Sequence, residues 1–111
     1  MKSKLTIDER GTKMWRLPNG SFHREDGPAI EDTQGYKAWW INGELHREDG
    51  PAVEWGSESK EWWLNGELHR EDGPAIDNGD DYKWWYLNNV EYTEQEYKRK
   101  TRSRKLSKLL K

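Results

Sequence analysis

In 111 residues the chain carries 19 Lys/Arg against 21 Asp/Glu, a net charge of −2, with eight Trp, five Tyr and no Cys. That is room for one small domain, and the missing Cys excludes disulfides and thiolate zinc sites. Leu, Ile, Val and Phe together number 16, about 14%, a poverty that alone reads as disorder. The aromatics answer it, because each buries roughly 150–250 Å² and a few supply most of a small core.

One heptapeptide, His-Arg-Glu-Asp-Gly-Pro-Ala, stands at His23–Ala29, His46–Ala52 and His69–Ala75, in steps of 23 residues. Asn19-Gly20, Asn42-Gly43, Asn65-Gly66 and Asn88-Asn89 keep the same step. A fixed period in the range of roughly 20–50 residues marks a repeat architecture. Counted from the residue after Pro, the units run 6–28, 29–51 and 52–74, and a last one, 75–92, departs near Tyr92. The first is degenerate, with Thr6-Ile7-Asp8 where Ala29-Ile30-Glu31 stands in the second.

Within a unit the pattern reads strand, turn, strand, turn. Ala52-Val53-Glu54-Trp55 is short and β-compatible, and the patch Gly56-Ser57-Glu58-Ser59 turns the chain, as do Thr33-Gln34-Gly35 and Asn78-Gly79-Asp80. Lys60–Leu64 forms the second strand, and Asn-Gly then reverses it, since a type I′ turn needs positive φ at both central residues. Glu67-Leu68-His69 is a brief third stretch ended by Asp72-Gly73-Pro74, where Pro has no amide for a ladder. The fold expected is mainly β: an antiparallel meander of ~23-residue hairpin repeats, residues 1–92, closed by a C-terminal capping α-helix, residues 93–111. Thr93-Glu94-Gln95-Glu96 opens that helix as a capping box. Tyr97 is placed to dock it, while Leu106, Leu109 and Leu110 fall on the opposite face at 100° per residue.

The string Trp-Trp-Leu-Asn-Gly-Glu-Leu-His-Arg-Glu-Asp-Gly-Pro-Ala, residues 62–75, resembles a tandem repeat of uncharacterised proteins in bacteriophages and large DNA viruses. The closing residues 87–96 resemble the usual ending of those proteins, so that resemblance spans nearly residues 6–97. The aromatic, Asn-Gly and His-x-x-x-Gly pattern is similar, more distantly, to the MORN-type repeat, which implies hairpins laid side by side. Neither resemblance implies an activity, and neither informs the basic segment after Tyr97.

Adjacent His, Arg, Glu and Asp invite a catalytic reading, but an active site brings different groups to one place, whereas here the same four recur in each unit. The reading taken is structural: His bonds backbone or a neighbouring unit, Asp closes the turn, and Arg pairs with Glu across the step. One metal ion is not expected to join His23, His46 and His69, because two strands per unit at ~4.8 Å part equivalent residues by about 10 Å or more. No cofactor, metal or catalytic residue is assigned, and the chain is read as not an enzyme.

Alternation along the second strand gives two aromatic ladders. Trp39, Trp62 and Trp85, beside Ile41, Leu64 and Leu87, are the expected core. Trp40, Trp63 and Tyr86, beside Ala38, Glu61 and Trp84, form a second ladder, and the contact residues chosen are Trp40, Trp63, Tyr86 and Trp84. On this alignment Arg16 takes the place of the first-ladder Trp, and Pro18 that of Ile or Leu.

Residues 98–111 hold eight Lys/Arg and no acid, a net of +8, whereas residues 1–97 hold 11 Lys/Arg against 21 acids, a net of −10. Lys98, Arg99, Lys100, Arg102, Arg104, Lys105 and Lys108 are therefore a second contact candidate, for phosphates, for a partner or membrane surface, or as a solvated helix end. The function expected is that of a non-enzymatic viral repeat protein acting as a protein-interaction module, with a host factor as the target to modulate; the alternative is nucleic-acid binding through the basic helix. With no apolar leader and no run near the ~20 residues of a span, the expected location is cytoplasmic, in the host if the source is viral.

Overall fold

The computed structural model describes residues 2–79 and 82–110. Asp80 of the expected turn and Lys111 of the basic segment lie outside them. Each unit contributes one hairpin to a main sheet, and the two middle units add a smaller hairpin beyond it. The main-sheet strands are β1 (Lys4–Ile7), β2 (Lys13–Arg16), β3 (Ile30–Glu31) and β4 (Tyr36–Ala38), and the chain then makes a small hairpin of β5 (Trp40–Ile41) and β6 (Glu44–Leu45). The next unit repeats this with β7 (Val53–Trp55), β8 (Ser59–Glu61), β9 (Trp63–Leu64) and β10 (Glu67–Leu68). In the last, β11 (Ile76–Asp77) is followed by β12 (Lys83–Leu87), which runs unbroken into its pairing with β13 (Val90–Tyr92). The helix α1, Glu94–Leu109, closes the order. The main sheet is a nine-stranded antiparallel meander, β1-β2-β3-β4-β7-β8-β11-β12-β13, and the molecule measures 49 × 34 × 19 Å.

Register assigns the two faces of the sheet. One cross-strand row reads Lys13, Glu31, Lys37, Glu54, Lys60, Asp77, Lys83, so every neighbouring pair is of opposite sign. Opposite charges directly across a sheet contribute roughly 0.2–1 kcal/mol per pair. The row on the other face reads Met14, Ile30, Ala38, Val53, Glu61, Ile76, Trp84. A one-residue slip would exchange the two rows, which is why the pairing is unambiguous.

The small hairpins are stitched to one another by backbone bonds. Gly43, Gly66 and Asn89 donate to the carbonyls of Phe22, Leu45 and Leu68 at 2.8–2.9 Å. Their turns place Asn42, Asn65, Asn88 and Asn89 at φ between 49° and 70°, the left-handed region that Asn tolerates best after Gly.

The interior is thinner than the ladders implied. Ala29, Ala38, Ala52, Ala75, Val53, Leu87 and Tyr97 are buried, so most of the buried apolar side chains are small. Of the expected core, only Leu87 is fully buried; Trp39, Trp62, Trp85, Ile41 and Leu64 remain half-buried.

The first unit is one residue longer than the 23-residue step. Thr6 and Ile30 both neighbour Met14, so Leu5-Thr6-Ile7, and not Thr6-Ile7-Asp8, is equivalent to Ala29-Ile30-Glu31. Trp15 donates to the Ala29 carbonyl as Trp39 does to Ala52 and Trp62 to Ala75. Trp15 therefore belongs to the first ladder, Arg16 takes the place of Trp40, and Pro18 is an extra turn residue. The unit begins at Leu5.

Candidate functional site

The repeated heptapeptide builds a corner, and its His is the clamp between units. His23, His46 and His69 each accept, at Nδ1, the backbone N–H of Asn42, Asn65 or Asn88 in the following unit, all at 2.9 Å. A ring nitrogen that accepts leaves the proton on the other, and Nε2 faces the corner's own Glu25, Glu48 or Glu71 at 3.6, 3.7 and 3.3 Å. The His69 bond is the main reason that Glu71 titrates below the ordinary carboxylate range, helped by Lys108 and Arg104.

The Arg does the rest. Arg24, Arg47 and Arg70 lie over the rings of Trp15, Trp39 and Trp62 at 3.9, 3.8 and 3.7 Å. Each donates from Nε to the corner Asp, at 2.9–3.1 Å, and from Nη1 to the Pro carbonyl, at 3.0–3.1 Å. Arg47 also reaches Glu54 at 3.1 Å, and Arg24 stands 3.7 Å from Glu31. The corner Gly leaves room for the guanidinium: a Cβ on Gly27, Gly50 or Gly73 would lie 2.7–3.0 Å from its carbon and the Arg would have to shift.

Between successive corners run open grooves. The first holds about 820 Å³, lined by Ile41, by Trp39 under Arg47, and by Arg24 and His46, with the exposed Glu25, Asp26, Glu48 and Asp49 on its rims. Its counterpart one unit on holds about 600 Å³ and is lined also by Lys105 and Lys108 of α1.

The helix is set by its cap and by one tyrosine. Thr93 Oγ1 accepts from the Glu96 amide while the Glu96 carboxylate accepts from the Thr93 amide, and these bonds hold Glu96 below its ordinary pKa. The Tyr97 ring packs on Trp85, centroids 4.9 Å apart, where the earlier Trp rings carry an Arg. Its hydroxyl donates to the Arg70 carbonyl and accepts from the Gly73 amide.

The contact residues chosen from sequence fall in different surroundings. Trp40 is half-buried against Phe22, centroids 5.5 Å apart, and its Nε1 is out of solvent with no partner among the described residues. Trp63 is half-buried and donates to Glu61 at 2.8 Å. Tyr86 is half-buried, but Trp84 is 43% exposed. Register places Trp55 and Tyr36 on the face of Trp84; Trp55 is 52% exposed and stacks on Tyr36 at 4.5 Å, and Tyr82, also exposed, precedes β12. Trp55 carries no repeat signature, so the ladder reasoning missed it. Of the basic residues, Lys98 pairs with Glu94, Lys100 lies over Tyr92, and Lys108 pairs with Glu71. Arg99, Arg102 and Lys105 are exposed, and Arg104 is half-buried.

Among the described residues no helix is long and apolar enough to cross a membrane. The arrangement defines a mainly β meander of hairpin units with a helical end. No protein-family model matches the chain, and comparison with curated proteins and with solved structures returned no match.

Proposed function

We propose that this is a non-enzymatic repeat protein, resembling in sequence uncharacterised repeat proteins of bacteriophages and large DNA viruses, that acts as a protein-interaction module on a host factor in the host cytoplasm. The observation that carries the reading is the aromatic face around Trp84 and Trp55, 43% and 52% exposed in a chain whose other described Trp side chains are half-buried. Exposed aromatic patches mark interfaces, and Trp and Tyr are the residues that most often dominate them. Trp40, Trp63 and Tyr86 are half-buried and offer less surface than these two. The test is affinity capture with the intact chain and with Trp84→Ala/Trp55→Ala, two substitutions at exposed positions. A partner retained by the first and lost by the second supports the reading; the same partners on both sink it.

The second reading is nucleic-acid binding through α1, favoured by the exposure of Arg99, Arg102 and Lys105. Affinity for RNA or DNA would then fall steeply with salt and drop on Arg99→Glu/Arg102→Glu. Binding indifferent to that change removes this alternative.

A further inference from the structure

The grooves between corners have a partner chemistry written into the chain itself. In the first groove Glu25, Asp26, Glu48 and Asp49 are 83–88% exposed. The two Asp already accept the corner Arg, while Glu25 and Glu48 have only a His nitrogen at 3.6 and 3.7 Å. The sister groove, built from the same residue types one unit on, receives Lys105 and Lys108 of the chain's own helix, with Lys108 Nζ 3.6 Å from Glu71. Exposed carboxylates on the rim thus meet basic side chains from a helix in one unit and stand open in the unit before it.

The helix has a second face to offer. Counting 100° per residue from Tyr97, Arg99, Arg102, Leu106, Leu109 and Leu110 project away from the sheet. The three Leu are 55%, 80% and 86% exposed, and Arg99 and Arg102 make no ion pair among the described residues. This face matches the open groove in charge, with cations for the exposed Glu25 and Glu48 on its rims, and its Leu side chains can lie beside Ile41. We infer that the groove between the first and second corners receives the outer face of α1 from a second copy of the chain, Arg99 and Arg102 meeting Glu25 and Glu48. The net of −10 over residues 1–97 against +8 over residues 98–111 makes two copies mutually attractive where their ends approach.

Sedimentation velocity on the full chain tests this. The wild type is expected to self-associate at low salt and to dissociate at about 0.5 M salt, where charges are screened within a few ångströms. Glu25→Lys/Glu48→Lys and Arg99→Glu/Arg102→Glu, all at exposed positions, should each weaken self-association by about tenfold or more. An equimolar mixture of the two should restore it as a mixed species. A wild type that stays monomeric at about 1 mM, the edge of weak binding, overturns the inference and leaves the groove to a basic segment of another protein. Variants that self-associate like the wild type, or a mixture that fails to recover, overturn it equally. Trp84→Ala/Trp55→Ala should leave self-association unchanged, which separates this inference from the partner-binding face.

Discussion

Arg47 is held by a ring, two carboxylates and a carbonyl. Lysine matches its charge but has neither the plane to stack nor the fork to bond in two directions. Arg47→Lys is therefore expected to cost about 1–2 kcal/mol, the loss of a stack and of a charged hydrogen bond, and to approach the cost of Arg47→Ala in urea unfolding. A second residue-scale contrast lies in Trp40 and Trp63. Glu61 accepts from Trp63, while Ala38 stands in the equivalent place beside Trp40 and offers nothing. Glu61→Ala should cost about 1–3 kcal/mol by leaving the indole N–H unmet, and Glu61→Gln, which keeps an acceptor, should cost less than half of that. Equal losses in thermal melts would show that the bond contributes little.

At the scale of the element, α1 joins the repeat by imitating it. Tyr97 places a ring where the earlier units place an Arg, over the last Trp of the ladder, and its hydroxyl bonds the preceding corner from both sides. Burial, the main cause, raises the Tyr97 pKa, with the neighbouring Asp72 and Glu71 adding to it. The sign follows: a phenol that ionises less readily in the folded state stabilises it fully below the unfolded value of about 10. That contribution is lost as the pH rises through the higher folded value, because a phenolate no longer donates to the Arg70 carbonyl. Tyr97→Phe is expected to weaken docking by about 1–2 kcal/mol at neutral pH and to flatten the alkaline fall in helix content. Far-UV circular dichroism against pH, wild type beside variant, checks both. The capping box was legible in Thr93 and Glu96 because capping is local. The stacking of Tyr97 on Trp85 was not, because it depends on where the sheet ends in space.

Over the whole molecule, the register of the first unit is the sharpest outcome. Trp15 and Trp39 are 24 residues apart, but His23 and His46 are 23 apart, and the difference is absorbed where Leu17 and Ser21 bracket three turn residues. Deleting Pro18 should leave the two-residue Asn19-Gly20 turn of the other units and keep the fold, with a stability change within about 1 kcal/mol. If the original alignment held, the same deletion would flip every strand residue before it to the wrong face and the first hairpin would unfold. Amide exchange of residues 4–16 distinguishes the two.

The period, the hairpin turns and the helix start were all carried by contiguous residues, since turn chemistry and capping act over two to four positions. From these alone follow the antiparallel meander and the count of units; they left the corner His to bond backbone or a neighbouring unit, and in the structure it bonds the backbone of the next unit. What each Trp does was decided only in three dimensions. Alternation says that Trp39 and Trp40 face opposite ways, but not which side is covered. Burial depends on the bend that separates β4 from β5 and on the Arg delivered by the next corner. The structure leaves Trp39 lining a groove under Arg47, Trp40 half-buried against Phe22, and Trp55, outside any ladder, exposed on the sheet.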